Sequence, residues 1–157
     1  MPASQHTRSQ ILIVGGGSSG GVLAVLLSEL GFEVGLVDTR DPTLPFTPDS
    51  RAFAIVRGGW RVLDAAGVGG NLVNKAEPLL SMEAHDRNGL LPPAASMFGV
   101  EDLPDGVTEG EPLGYMIEVD LLNQAIRDRV NACTAITQYA PETVSYTHLR
   151  AHETEQH

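Results

Sequence analysis

The pattern of hydrophobic positions in the first forty residues predicts a strand, a helix and a second strand. Residues 11–14, Ile-Leu-Ile-Val, form a short apolar and β-branched run that is typical of a strand buried on both faces. Gly31 stands where a C-terminal cap belongs, after apolar side chains at helical spacing: Val22, Leu23, Leu26, Leu27 and Leu30. Residues 32–37, Phe-Glu-Val-Gly-Leu-Val, predict the second strand. The order of these elements predicts a βαβ unit.

The remaining pattern predicts shorter elements that are separated by loops. Prolines at positions 42, 45 and 48 predict a loop over residues 40–50, leading away from the sheet. Residues 90–113 are rich in proline, glycine and acids, which predicts long loops or edge strands. The other predicted elements are a helix near 57–66 that ends at Gly67, a strand over 79–85 with a turn at 86–89, a strand over 113–117 and a helix over 120–130.

A glycine motif lies between the first strand and the helix. Gly15, Gly17 and Gly20 form the pattern G-x-G-x-x-G. The first glycine permits a tight turn, the second lets the backbone approach a pyrophosphate, and the third lets the helix lie close to the sheet. The start of the helix then presents free N–H groups and a positive dipole end, which suit phosphate. This combination predicts a dinucleotide site.

Three further side chains bear on that prediction. Asp38 ends the second strand, where a carboxylate can accept hydrogen bonds from ribose hydroxyls. Ser18 and Ser19 lie within the glycine turn. They either hydrogen-bond to phosphate or are simply small enough to fit, and the residues alone leave both interpretations open. The cofactor-binding candidates at this stage are therefore the three glycines, the two serines and Asp38.

Composition and charge narrow the class of protein. The chain has 157 residues and 42% hydrophobic residues, as expected for one ordinary globular domain. Its formal net charge of −10 argues against nucleic-acid partners and against electrostatic docking on anionic lipid. The N-terminal ten residues are polar, which is unlike a signal peptide. A single cysteine excludes a disulfide framework and favours a reducing, cytoplasmic location.

A longer motif decides which dinucleotide is expected. The glycine motif continues with Ala24 and Gly31, an acid closes the second strand, and Asp-x-Arg-Ala-x-Ala follows at residues 49–54 before a helix. This arrangement resembles the FAD-dependent aromatic hydroxylases, and in particular those of ubiquinone biosynthesis, over residues 10–140. The resemblance implies that the arginine matching Arg51 lies beside the flavin and its phosphates. A planar, always charged guanidinium also suits a bidentate anionic partner, although an ordinary surface arginine is the alternative.

The resemblance also implies a chemistry and a set of partners. In this family NAD(P)H reduces FAD, and the reduced flavin reacts with O₂ to hydroxylate an aromatic ring, so the cofactor carries the reaction. The expected substrate is a small aromatic compound or quinone precursor. No catalytic side chain is assigned. The expected location is the cytoplasm, and attachment of the full-length protein to the inner membrane or to other enzymes is left open.

The fold class implied is α/β, with an incomplete Rossmann-like FAD/NAD(P)-binding βαβ domain and the start of a mixed β substrate-domain sheet. Members of the family are more than twice as long and carry later Asp-Gly and Gly-Asp motifs that this chain lacks. We therefore expect an N-terminal fragment that is inactive alone. The expected organisation is a disordered N-terminus over 1–10, an FAD-binding core over 11–78, substrate-domain strands over 79–113, a return to the FAD domain over 114–143 and a non-native tail over 144–157.

Other functions are compatible with the same residues. An NAD-dependent dehydrogenase would have a similar phosphate turn and strand-end acid. A non-enzymatic binding module or an unfolded product is the third hypothesis. A metal site is not predicted: His148 and His152 could share a helical face with Glu153 adjacent, but nothing upstream supplies the rest of a coordination shell.

Overall fold

A computed structural model of the chain describes residues 9–83, 97–102 and 111–142. Its strands are β1 (Ile11–Val14), β2 (Val34–Val37), β3 (Ala52–Val56), β4 (Glu77–Leu79), β5 (Ser81–Glu83), β6 (Met97–Gly99), β7 (Gly114–Glu118) and β8 (Ile136–Tyr139). Its α-helices are α1 (Ser18–Glu29), α2 (Arg57–Ala65) and α3 (Val119–Ala132). Short 3₁₀ turns cover residues 69–71, 73–75 and 100–102. The mixed α/β fold class agrees with the sequence prediction.

A parallel sheet of three strands, in the order β1-β2-β8, forms the first layer. Val34 lies opposite Ile11 on one side and Ile136 on the other, so β2 is the central strand. Helix α1 connects β1 to β2, as predicted, and α3 precedes β8. Because parallel strands point the same way, the ends of β1, β2 and β8 meet at one edge, where Asp38 follows β2.

The antiparallel sheet has the order β3-β7-β4, and a separate pair is formed by β5 and β6. The prediction of one continuous strand over residues 79–85 is wrong. β4 pairs with β7, whereas β5 pairs with β6, so the chain changes partner at Leu80, which is exposed. The last residues of the predicted strand and its turn at 86–89 lie outside the described residues.

The prediction that β1 is buried on both faces is also wrong. Ile13 is buried, but Leu12 and Val14 are 58% and 52% exposed. In the described part of the chain β1 pairs with β2 alone, and the face that carries Leu12 and Val14 is open. By contrast, all of β2 is buried because it has a neighbour on each side.

Helices α1 and α3 pack against each other and carry much of the core. A β-carbon at Gly21 would lie 2.6 Å from Ile126 Cγ2, so the small residue permits the close approach of the two helices. Ala24 is fully buried, in agreement with the expectation that α1 is thin where it crosses the sheet. Trp60 is buried on α2, and its ring centroid lies 4.2 Å from that of Tyr115 on β7. This contact joins α2 to the antiparallel sheet.

The described residues contain neither a membrane-spanning helix nor a metal-binding cluster. No helix among them combines the length and apolar character needed to cross a bilayer. The same residues contain no group of three or more histidine, cysteine or acidic side chains placed to hold a metal ion. The histidines of the tail lie outside the described residues.

Candidate cofactor site

The glycine turn between β1 and α1 is fixed by its backbone. Gly15 has φ +104°, a conformation that favours glycine, and its N–H donates to the Val37 carbonyl oxygen at 2.8 Å. A β-carbon at Gly20 would overlap the Gly15 carbonyl oxygen. Gly17 differs from both, because a β-carbon there would have no protein atom within 4 Å. Two of the glycines are therefore required by the protein itself, while the open side of Gly17 is available to a ligand.

Helix α1 starts beside that open side. Its first hydrogen bond runs from the Gly21 N–H to the Gly17 carbonyl oxygen at 2.8 Å, so the N–H groups of Ser18, Ser19 and Gly20 have no intrahelical partner. No acidic side chain lies in the first turn of the helix. The first turn of the helix thus supplies no counter-charge to the positive end of its own dipole, which favours an anion.

Asp38 lies against the turn from the other side. Its Oδ2 accepts the Gly16 N–H at 2.5 Å, and its Oδ1 accepts the Arg40 N–H at 2.7 Å. A carboxylate offers about four lone-pair positions, so each oxygen can still accept a hydroxyl hydrogen bond. The contact also explains a third glycine, since a β-carbon at Gly16 would lie 2.9 Å from Asp38 Oδ2. Strand-end acid and glycine turn form one unit.

Two adjoining recesses meet at Gly17. The first, the Asp38 recess, extends along the strand ends and is bordered by Asp38, Leu36 and Gln138. The second, the Arg51 recess, extends past Ser18 to Arg51 and Phe53. They share the residues Gly17, Arg40, Phe46 and Asn123. Counted out to open solvent, they hold about 530 Å³ and about 800 Å³ of empty space.

Arg51 reaches the second recess while paired with Asp49. Its Nε lies 2.9 Å from Asp49 Oδ1, and its Nη2 lies 2.5 Å from Asp49 Oδ2. The hydrogen bonds from Arg51 lower the pKa of Asp49 to about 2, and the same pairing raises the pKa of Arg51. Within the described part of the chain, Nη1 of Arg51 has no hydrogen-bond partner, and the side chain is 71% exposed. The outer end of the guanidinium is thus available to an anion.

Helix α3 supplies site residues that the sequence prediction did not include. The Ser18 hydroxyl donates to Asn123 Oδ1 at 2.8 Å, which joins the first turn of α1 to α3, and Asn123 borders both recesses. Asp120 Oδ2 accepts the Asp49 N–H at 3.1 Å, while its Oδ1 is buried without a partner. The sequence did hold a signal for Asn123. It is a polar residue about one turn into a helix that directly follows a strand.

The loop between β2 and β3 borders the site on its outer side. Arg40 and Phe46 border both recesses, and neither was among the predicted site residues. Hydrogen bonds from the hydroxyl and the N–H of Thr43 stabilise the loop and lower the pKa of Asp41. The sequence predicted this segment only as a proline-rich loop, since its path depends on the elements that it crosses.

Of the predicted cofactor residues, the structure brings Gly17, Ser18, Asp38 and Arg51 around the two recesses. The other predicted residues are Gly15 and Gly20, which shape the turn, and Ser19, which is exposed beside it. Their roles as cofactor ligands stay predictions.

Comparison with known proteins places the chain in a family. The sequence model of a family described as "FAD binding domain" matches residues 8–156. The chain belongs to this FAD-binding family. The match includes residues 144–156, which lie outside the described part, and the non-native tail stays a prediction. The chain is also 35% identical over 135 residues to the ubiquinone hydroxylase UbiL of Rhodospirillum rubrum. That alignment covers 85% of this chain and 29% of UbiL.

Solved structures share the fold. A PqsL mutant from P. aeruginosa superposes with a TM-score of 0.62 at 19% identity, covering 85% of this chain and 33% of PqsL. The p-nitrophenol 4-monooxygenase PnpA from Pseudomonas putida gives 0.61 at 17% identity, covering 82% and 31%. The flavin-dependent monooxygenase PieE, solved with FAD and substrate, gives 0.55 at 21% identity, covering 85% and 24%. The chain thus spans about a third or less of the length of these proteins.

These findings confirm the resemblance to FAD-dependent aromatic hydroxylases and the expectation of FAD as cofactor. The residues present also fit the adenosine diphosphate part of that cofactor. A helix N-terminus with no acidic side chain in its first turn faces the open side of Gly17, Asp38 lies on one side and the outer end of Arg51 on the other. These positions match the needs of a diphosphate with a ribose beside it.

Proposed function

We propose that this chain forms the part of a flavin monooxygenase that binds the ADP half of FAD. The observation that carries the proposal is the meeting of two recesses at Gly17, where the backbone is open and the first turn of α1 has free N–H groups. A diphosphate at this junction would have room for a nucleoside in the Asp38 recess and for the chain toward the flavin in the Arg51 recess.

Each side chain then has a defined task. Asp38 accepts hydrogen bonds from the ribose hydroxyls while keeping the turn in place through the Gly16 N–H. Arg51 offers the outer end of its guanidinium to a phosphate oxygen, and Asp49 holds the inner edge. Ser18 is held by Asn123 at the start of α1. When bound, FAD supplies the redox chemistry, and the role of these residues is to bind and orient it.

The finer assignment follows from the family and the relatives. We propose NAD(P)H as the reductant and an aromatic ring as the substrate, of the ubiquinone-precursor type in view of the identity to UbiL. We also propose that this chain alone does not turn over substrate, since it spans 29% of the length of that relative. The proposed location is the cytoplasm, with peripheral membrane or multi-enzyme association belonging to a longer form.

Binding of FAD by the purified chain tests the proposal. Titration is followed by quenching of flavin fluorescence and by calorimetry, with NAD as the competing dinucleotide. We expect saturable binding of FAD in preference to NAD, too weak for stoichiometric flavin to copurify, and no oxidation of NAD(P)H. A longer form that continues beyond this chain should retain FAD during purification.

Substitution of Arg51 distinguishes an FAD site from an NAD site. Arg51→Ala should weaken FAD binding about tenfold because a charge-assisted hydrogen bond to phosphate is lost. Arg61→Ala is a matched control, since Arg61 is 68% exposed and lies outside both recesses. Preferential NAD binding that is unchanged in Arg51→Ala would instead favour a dehydrogenase. A cooperative thermal transition that neither dinucleotide shifts would contradict both and favour a binding module of another kind.

A further inference from the structure

The loop between β2 and β3 is tied to helix α3 by one arginine. Arg127 Nη1 donates to the Pro42 carbonyl oxygen at 3.1 Å and to the Leu44 carbonyl oxygen at 2.6 Å. Its guanidinium carbon also lies 3.6 Å from the centroid of the Phe46 ring. Two backbone acceptors and one aromatic face are thus held by a single planar cation, which a lysine could not reproduce.

Phe46 is held from a second direction as well. The guanidinium carbon of Arg40 lies 4.7 Å from the same ring centroid. Arg40 is in turn fixed by its N–H, which donates to Asp38 Oδ1 at 2.7 Å. The ring therefore packs with two cations, one from α3 and one from the second residue after the strand-end acid. We call this cluster of Arg40, Phe46 and Arg127 the loop latch.

The loop latch borders the candidate site. All three of its residues line the Asp38 recess, and Arg40 and Phe46 also line the Arg51 recess. The loop has no regular secondary structure of its own, so its position over the recess depends on side-chain contacts such as these. Arg127 Nε is buried without a hydrogen-bond partner. Such an atom costs free energy, which the other contacts of the guanidinium have to offset.

We propose that Arg127 is a positioning residue, which holds residues 40–46 against α3 so that Phe46 and Arg40 form the outer wall of the nucleoside end of the cofactor site. The inference rests on the proposed function, because it names what shapes the adenosine side of that site. Arg127 acts through the loop, so its loss should release the loop and weaken nucleotide binding together. Replacement of Phe46, the aromatic partner of Arg127 in the loop, by a residue without a ring should have the same effect.

Hydrogen exchange of the loop amides and the dissociation constant for ADP test the inference together. In Arg127→Met, we expect faster exchange over residues 41–47 without ligand and a dissociation constant for ADP about tenfold higher. Arg127→Lys should restore little of the ADP affinity or of the loop protection, since lysine lacks the planar guanidinium. Phe46→Leu should resemble Arg127→Met while leaving α3 untouched, and Phe46→Tyr should restore binding to within about twofold because the ring face is kept.

Arg129→Met is the matched control on the same helix. Arg129 donates to the Ala66 carbonyl oxygen at 3.1 Å and pairs with Glu29, away from both recesses. Its loss should lower stability but leave exchange of the loop and the affinity for ADP as in the wild type. If Arg129→Met weakens ADP as much as Arg127→Met, the effect is a general loss of α3 stability and the inference is wrong.

The failure of this inference is distinguishable from the failure of the proposed function. If the wild-type chain binds neither FAD nor ADP, the proposed function is wrong. If the wild type binds ADP but Phe46→Leu and Arg127→Lys bind equally well with unchanged exchange of the loop, the function stands and the role of Arg127 is refuted. The Phe46 variants keep the test valid if Arg127→Met does not fold.

Discussion

The two glycines Gly17 and Gly20 should respond in opposite ways to the same substitution. A β-carbon at Gly20 would overlap the Gly15 carbonyl oxygen, lie 3.1 Å from the carbonyl carbon and 3.4 Å from Ile13 Cγ2. The obstructing atoms are mainly backbone, and Gly15 is held by its hydrogen bond to Val37, so no side chain can rotate away. Relief requires the start of α1 to move by roughly 1 Å, which disturbs the buried packing of the helix.

The magnitude follows from these contacts. We expect Gly20→Ala to lower the free energy of unfolding by about 2–4 kcal/mol, a large fraction of the stability of an ordinary domain. Gly17→Ala meets no atom within 4 Å, and its φ of −69° and ψ of −169° are open to alanine. Alanine is a poorer N-cap than glycine, which lowers stability, but it also makes the unfolded chain less flexible, which raises stability. These effects nearly cancel, so the free energy of unfolding should change by no more than about 0.5 kcal/mol. Its affinity for FAD should nevertheless fall by about tenfold or more, because the methyl group occupies the phosphate approach.

Urea unfolding followed by the fluorescence of the single tryptophan, Trp60, measures the first effect, and FAD titration measures the second. Gly58→Ala on α2 is a control, because its added β-carbon also meets no atom within 4 Å. The reasoning is refuted if Gly20→Ala is as stable as the wild type. It is equally refuted if Gly17→Ala loses stability as Gly20→Ala does, or binds FAD normally.

Three further outcomes follow from contacts within the described residues. Asp38→Ala should lower the free energy of unfolding by about 1–2 kcal/mol in urea titrations, because two backbone N–H groups lose their acceptor. The Asp49 carboxyl, whose pKa is lowered from 3.8 to about 2, should contribute stability that is complete above pH 3.8 and lost as the pH falls through 2. Its carbon-13 titration should show that midpoint, and Arg51→Ala should return it toward its ordinary value; an unchanged midpoint would contradict the pairing. Trp60→Ala should cost about 3–5 kcal/mol by circular dichroism, with Trp60→Phe far milder, since the ring packs on Tyr115.

The glycine turn and the strand-end acid could be predicted because they depend on short stretches of sequence. The spacing of Gly15, Gly17 and Gly20 fixes a backbone path over a few residues, and Asp38 follows from the length of one βαβ unit. Both helices after residue 50 were also found within one or two residues, because apolar periodicity and, for α2, the glycine after its C-terminus are local signals. These parts of the fold depend little on anything distant in the chain.

The rest of the site depends on contacts between distant segments. Asn123 reaches the turn only because α3 packs on α1, and Phe46 is placed by α3 and by the end of β2. β8 was not predicted as a strand: the short run Ile-Thr-Gln-Tyr at 136–139 is only partly apolar, and its strand character comes from pairing with β2. The burial assigned to β1 was wrong because an apolar run shows that a strand can be buried, not which neighbours it has.

The parallel pairing of β2 with β8 has a consequence for the order of events during synthesis. Val34 and Ile136 are partners, yet most of the described chain lies between them. As a ribosome releases the chain from its N-terminus, the glycine turn and Asp38 emerge early, but the helix that completes the recesses and the strand that covers β2 emerge late. Such a pairing is slow to form because a long loop must close first. A nascent chain would therefore carry a complete phosphate turn well before it could hold a nucleotide, and β2 would have one unpaired edge in the interval, when chaperones could bind it.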